Sequence, residues 1–553
     1  MVTGEKTTAR HAKPKAEAGA GRASVLMAGG TVVSRASGLI RQVLQGAALG
    51  PGLLATTYNT ANIVPTSLYT LLIGGALNAV LVPQLVRARA THADGGRAYE
   101  QRLVTLVVSV LAVGTVLAVW AAPEIVSLYM RDTPQEHAAF RLTVVFARFL
   151  LPQIFFYGLF AIMGQVLNAR ERFGAMMWTP VLNNVVLVAM FGVYLGMMTG
   201  SRSVTDVTDI TDAQVRWLGI GTTLGIAVQA VALVPFARAA GFRFRPRFDW
   251  RGAGLGSGVH AAKWTLLFVL TNLVALTVVT RYANAADMEL SKAGVGYTAY
   301  SYAQTIWMLP QSVVTVSLVT ALLPRMSKAA AEGRTGDLRA DLSRALRVSG
   351  VVIVPAAVLF TVLGPDIAVL LFAHGATDAA TAQPLGHMLQ AFGLGLIPFS
   401  AQYLLLRGFY AFDDTRTPFF MAVWIGAVNI ALATACHLLL PARWAVTGMA
   451  GAYTVSYFAG LLLTARLLAR RTGGRLDDGT LRGTYARLLC AAGAAGVAGW
   501  AAARGCAGVL GYGTAGTALT TIVGTLALAV VYLLLARALK VDEVRRIRIP
   551  GLG

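Results

Sequence analysis

Apolar stretches of about twenty residues recur along almost the whole chain, and this spacing decides what the chain can fold into. A helix needs roughly 20 mostly apolar residues to cross the hydrocarbon core of a bilayer. About fourteen segments of that kind occupy 24–48, 57–86, 103–122, 140–167, 177–199, 217–237, 258–282, 296–323, 348–364, 386–410, 417–439, 446–467, 486–503 and 514–536. No connection between them is long enough for a soluble domain. The composition agrees: 13% of residues are charged and 56% apolar, against about 25% charged in soluble proteins. The pattern predicts an all-α polytopic membrane protein.

Loop charges test the count independently, because cytoplasmic loops are enriched in Lys and Arg. With the basic stretch 1–23 taken as a disordered cytoplasmic tail, every second connection should be basic. Arg87, Arg89, Arg97 and Arg102 fall in the first such loop, and Arg170 and Arg172 in the next. RAAGFRFRPRFDWRG, RMSKAAAEGRTGDLRADLSRALR, RGFYAFDDTRTP, RLLARRTGGRLDDGTLRGTYAR and the tail within 541–553 continue the series. The intervening loops, such as SVTDVTDITDA, are poor in base or acidic. Roughly 36 of the 47 Lys and Arg fall on one side by this map. Membrane anchoring therefore accounts for the net charge of +22 without nucleic acid. It predicts a multi-pass membrane protein with both termini cytoplasmic.

A weak internal repeat recurs at an offset of about 240 residues. It pairs Pro83 with Pro324, Pro180 with Pro418 and Arg41 with Arg281. Two six-helix lobes, 24–240 and 241–475, followed by two further helices in 476–540, would produce it. Six is even, so both lobes enter the membrane in the same orientation, a known transporter plan.

On this map all 25 acidic residues fall in loops, tails or, for Asp366, at a helix end. Four arginines fall inside spans or near their ends: Arg35, Arg41, Arg148 and Arg281. An arginine at bilayer depth costs at least ~2.5–3.5 kcal/mol on insertion scales, and no carboxylate is at hand to offset it. Arg281 closes its helix and is explained as well by snorkelling to the interface, and the same reading applies to Arg148. Arg35 lies near mid-span and has no such exit. It stands ~9 Å along the axis from Arg41 and about 120° around it, so two walls of one cleft could hold the pair. Gly38 lies between them and leaves room for a ligand.

Guanidinium suits phosphate, because its planar fork offers parallel donors and keeps its charge. The pair thus points to an anionic substrate such as a diphosphate. Asn59, Asn62, Gln304 and Gln311 are candidate lining residues, although each taken singly is read more readily as an interhelical hydrogen bond. Pro65 and Pro310 are expected to break their helices. The three cysteines, Cys436, Cys490 and Cys506, and the seven histidines form no metal-ligand spacing. No nucleophile or acid–base constellation is present, so a transporter is expected rather than an enzyme, with no cofactor.

SRASGLIRQVLQGAALG, followed by ATTYNTANIVPTSLYTLLIGGALNAVLVPQLV, resembles the start of the MurJ/MviN family of lipid II flippases. YSYAQTIWMLPQSVVTVSLVTALLPRMS is similar to that family's eighth helix, and RGFYAFDDTRTP to its tenth-to-eleventh connection. The resemblance covers about residues 24–540. It implies two lobes around a cationic cavity, two added helices beside a lipid groove, and export of undecaprenyl-diphosphate-linked peptidoglycan precursor. By resemblance Arg35 and Arg41 match the family's first-helix arginines, and cell-wall synthesis or division proteins are implied partners. Tyr69 and Thr305 stand where family members carry further arginines, and Thr57 where they carry an acid. The carboxylates of the family's sodium site are absent. Two rivals remain: a flippase for another lipid-linked oligosaccharide, and a transport-inactive relative acting as a cell-wall assembly scaffold. Alternating access driven by the membrane potential needs no carboxylate relay and is the expected mechanism.

Overall fold

A computed structural model describes residues 14–71, 85, 88–89, 94–170, 172, 174–198, 206–249, 257–474, 476, 479–511 and 514–545. Pro83 of the repeat, residues 72–84 of the second expected span and the outermost tails lie outside these. Among the described residues every regular element is an α-helix. The first part holds α1 (Pro14–Leu49), α2 (Leu53–Leu71), α3 (Arg97–Trp120), α4 (Ala122–Ser127), α5 (His137–Leu150), α6 (Gln153–Asn168), α7 (Gly174–Met198), α8 (Asp212–Val231) and α9 (Leu233–Ala239). Then come α10 (Ser257–Glu289), α11 (Tyr297–Ala331), α12 (Thr335–Phe372), α13 (Ala379–Gly393), α14 (Leu396–Ala411), α15 (Arg416–Leu439) and α16 (Ala442–Arg471). The chain finishes with α17 (Thr480–Leu510), α18 (Thr514–Ala538) and the short α19 (Asp542–Arg545).

Ten described helices or helix pairs are long and apolar enough to cross a membrane, eleven if the bent pair α13–α14 counts as one span. Only 28% of the apolar stretch of α3 is buried. Val110, Val113, Val116, Leu117 and Trp120 point outward from it. An apolar surface of this extent is stable in hydrocarbon, which makes the chain a multi-pass membrane protein. Inside, one apolar core joins α2, α5, α7 and α8, and another joins α10, α11, α12, α13 and α16. Helices α17 and α18 pack on α12 through a separate cluster around Val354, Leu488 and Leu528.

Several helices outrun the spans read from hydropathy. The expected loop RMSKAAAEGRTGDLRADLSRALR is helical apart from residues 332–334, because hydropathy reports bilayer thickness and not helix length. The expected continuous span 386–410 bends by 50° between α13 and α14. A Cβ at Gly393 would stand 2.3 Å from the Thr361 hydroxyl, and one at Gly395 2.4 Å from that of Thr454. The bend lets α12 and α16 approach this closely. Pro65 and Pro310 do not break α2 and α11, which run through them. Hydroxyls of Thr66 and Ser312 bond to carbonyls of the same turns, the local repair expected of membrane helices.

The acidic map also needs correction. Asp287 lies inside α10 and is fully buried, Glu100 is buried in α3, and Asp366 lies within α12 and not at its end. The expected spans stopped short of the buried turns that carry Asp287 and Glu100.

Helix starts follow local chemistry. Thr211 caps α8, its Oγ1 accepting from the Gln214 backbone N–H while the Gln214 side chain accepts from the Thr211 N–H at 2.8 Å. Thr211→Ala should cost about 1 kcal/mol, read as earlier unfolding in a thermal scan, whereas Thr211→Asn should keep most of the cap.

Candidate functional site

An open cavity of ≈ 570 Å³ lies between α1, α2, α6, α7, α8 and α11. Arg35, Gly38, Arg41, Tyr69 and Thr305 all line it, so five of the eleven candidate residues read from the sequence converge on one space. Each is placed by its helix. Asn184 on α7 donates to the Ser34 carbonyl at 3.1 Å and to the Ser37 hydroxyl at 2.9 Å, holding the turn of α1 that carries Arg35. Gln42 donates to Thr305 at 3.1 Å and ties α1 to α11 where the cavity ends. Tyr69 packs on Tyr157, ring centroids 4.6 Å apart, to form an aromatic wall. A Cβ at Gly38 would meet only Asn184, at 3.7 Å, so this face of α1 opens onto the cavity.

Among the described residues neither Arg35 nor Arg41 makes an ion pair or hydrogen bond, and no carboxylate lines the cavity. The Arg41 Nε is buried with no partner. Arg41 lies within electrostatic reach of the phenols of Tyr58, Tyr157 and Tyr302, and Arg35 of that of Tyr69. Two permanent cations with unused donors, walled by aromatic and amide side chains, have the chemistry that suits an anion.

The other six candidates lie elsewhere, among them Gln311, which is buried outside the lining. Asn59 accepts from Gln45 at 2.8 Å and donates to Thr298 at 3.0 Å, in a buried network beyond the cavity floor. Asn62 accepts from Gln153 at 3.2 Å. Gln304 is half-buried and outside the lining. Arg148 is exposed on α5. Arg281 sits eight residues before the end of α10, not at it. It lies in a small separate pocket with Arg131, Glu136 and His437, near the carbonyls of Ser127 and Leu128. Lining residues that the sequence reading missed are Gln42, Tyr157, Asn183, Asn184 and Gln229. Gln42 follows Arg41 directly. The others join the site only through tertiary packing.

Apolar helices around an open cationic cavity describe a membrane transporter, and comparison of the fold agrees. An inward-facing multidrug resistance MATE family transporter of the MOP superfamily shares it, at 15% identity and TM-score 0.61 over 79% of this chain and 95% of that one. A lipid II flippase MurJ solved in an inward closed conformation gives 17% identity and TM-score 0.71, covering 93% of this chain and 99% of that one. In sequence, the family described as "Lipid II flippase MurJ" matches residues 46–511. A probable lipid II flippase MurJ from Rhizobium meliloti (strain 1021) is 30% identical over 459 residues, 81% of this chain and 80% of that protein. The chain belongs to the MurJ lipid II flippase family, a family of transporters and not of enzymes. The matched stretch begins after Arg41, so the two arginines of α1 stand on their own geometry.

Proposed function

We propose that the protein carries an undecaprenyl-diphosphate-linked peptidoglycan precursor from the cytoplasmic to the outer leaflet, with Arg35 and Arg41 receiving the diphosphate. The observation that carries this reading is the pair of unpaired guanidinium groups in a cavity without carboxylates. In this reading the chain crosses the membrane fourteen times, with both termini cytoplasmic. Residues 24–240 and 241–475 form two rocking lobes, and 476–540 holds the two added helices. The headgroup enters the cavity from the cytoplasmic side while the polyprenyl tail stays in lipid. Rocking of the lobes then exposes the site outward. Each charge moved through 100 mV is worth ~2.3 kcal/mol. An inside-negative potential therefore favours outward movement of the anion and inward return of the empty cationic site.

Tyr69 and Thr305, where relatives of the resemblance carry arginine, favour one further reading: a headgroup with fewer charges to neutralise, such as another lipid-linked sugar. Complementation of a flippase-depleted strain separates the readings. Growth with the wild type and none with Arg35→Ala supports precursor transport. Growth with both proteins shows precursor transport that does not need Arg35, and growth with neither points to another lipid or to a scaffold.

A further inference from the structure

The end of the bundle opposite the cavity is closed by a buried polar network built around one carboxyl group. Asp287, two residues before the end of α10, is fully buried. Its Oδ2 accepts from the Thr56 hydroxyl of α2, and its Oδ1 has no partner. Thr56 also meets the Thr298 hydroxyl of α11 at 3.0 Å, and Thr298 accepts from Asn59 of α2 at 3.0 Å. Asn284, one turn earlier on α10, donates to Thr60 at 3.1 Å and to the Tyr129 carbonyl at 3.1 Å. The Leu53 N–H donates to the Ser291 carbonyl at 3.0 Å. Every one of these bonds joins the first part of the chain to α10, α11 or the turn between them. A Cβ at Gly296 would stand 2.0 Å from the carboxyl carbon, so the backbone itself seals the site.

No described cation pairs with this carboxyl. The charged and titratable groups on the elements packed around it are few. Tyr129 and Tyr297 lie beside Thr277 and Thr280. His437 of α15 stacks on Tyr282, ring centroids 4.5 Å apart. Arg443 opens α16, where it acts on His387. Glu289 is exposed at the end of α10, and Lys292 pairs with Asp206 at 3.7 Å on the surface. Asp206 lies outside the spans, and the Thr208 backbone N–H and hydroxyl hold it below the usual carboxylate range. It therefore stays ionised until the medium is strongly acidic. A bare carboxylate in the Asp287 setting carries an effective desolvation penalty of several kcal/mol, which a neutral carboxyl avoids.

We propose that Asp287 is a proton-binding latch: with its proton it lets α2 close on α10 and α11, and losing the proton hydrates and opens this end. The closed state holds one proton more than the open state. The closed-to-open ratio therefore falls as pH rises, by at most about tenfold per pH unit. Acid favours closure, and base favours opening.

The test is pulsed electron–electron distance measurement on the full chain in nanodiscs. Spin labels are placed at Asp209 and Glu289, on the segments that the Lys292–Asp206 pair joins, with Cys436, Cys490 and Cys506 replaced by serine. The short-distance population should dominate in acid and shrink as pH rises. The isosteric Asp287→Asn should hold it at every pH, while Asp206→Asn and His437→Gln leave the response in place. A parent protein without a pH response, or a response that survives in Asp287→Asn or disappears in either control, overturns the latch. The readout needs no lipid substrate, so it stands or falls apart from the transport reading.

Discussion

Arg41→Ala should lower affinity for the diphosphate headgroup by on the order of tenfold to a hundredfold, and the Arg35→Ala, Arg41→Ala double variant should not transport. Hydrogen bonds to charged groups are worth about 1.5–3 kcal/mol each, and each 1.4 kcal/mol is a factor of ten in affinity. Lysine keeps the charge but loses the fork, so Arg41→Lys should fall between wild type and alanine. Stability separates a ligand role from a structural one. Arg41 has a buried Nε without a partner, so removing it relieves an uncompensated group. The alanine variant should unfold at the same temperature as the wild type or higher. Headgroup titration with a thermal scan on the same sample checks both halves. Normal binding, or a large drop in stability, would assign Arg41 to the scaffold.

The largest stability loss should come from Glu100. Its carboxylate is 1% exposed and pairs with Arg170, whose side chain is 10% exposed. Arg170 also donates to the Ala240 carbonyl at 2.6 Å and packs over Phe242 at 5.6 Å. The pair thus joins α3, the end of α6 and the segment after α9. Removing one member of a buried ion pair costs about 3–5 kcal/mol, because the other is left charged and dry. Glu100→Leu and Arg170→Met should each lose about that much. The double variant should recover most of it, since apolar replacement of both partners is often neutral. Arg102 and Asp249 are the contrast, with side chains 31% and 57% exposed. Breaking that pair should cost no more than about 1 kcal/mol. Thermal unfolding in detergent across a double-mutant cycle measures all of these.

Much of this architecture can be read from the chain before any coordinates. Alternating loop charge and recurrent apolar length identify a multi-pass helical protein. The lack of intramembrane acids near Arg35 and Arg41 singles out the two cations of the cavity. Hydropathy fails where a helix leaves the apolar slab. Asp287 stands five residues past the end of its expected span, which on hydropathy alone puts it in a loop, yet α10 continues and α2 covers it. The bend between α13 and α14 escaped for a different reason. Gly393 and Gly395 are compatible with a straight apolar helix, and only the approach of Thr361 and Thr454 makes them a hinge point. Arg281 shares its offset with Arg41 yet lies in a separate pocket. The offset records helix order, but the direction of a side chain depends on where its helix packs.

The most direct test of the central claim is leaflet accessibility of the lipid-linked precursor in vesicles holding this protein as the sole transporter. Wild type should deliver the diphosphate-linked headgroup to the opposite leaflet, and the Arg35→Ala, Arg41→Ala variant should leave it where it was loaded. Equal delivery by both proteins would contradict the account.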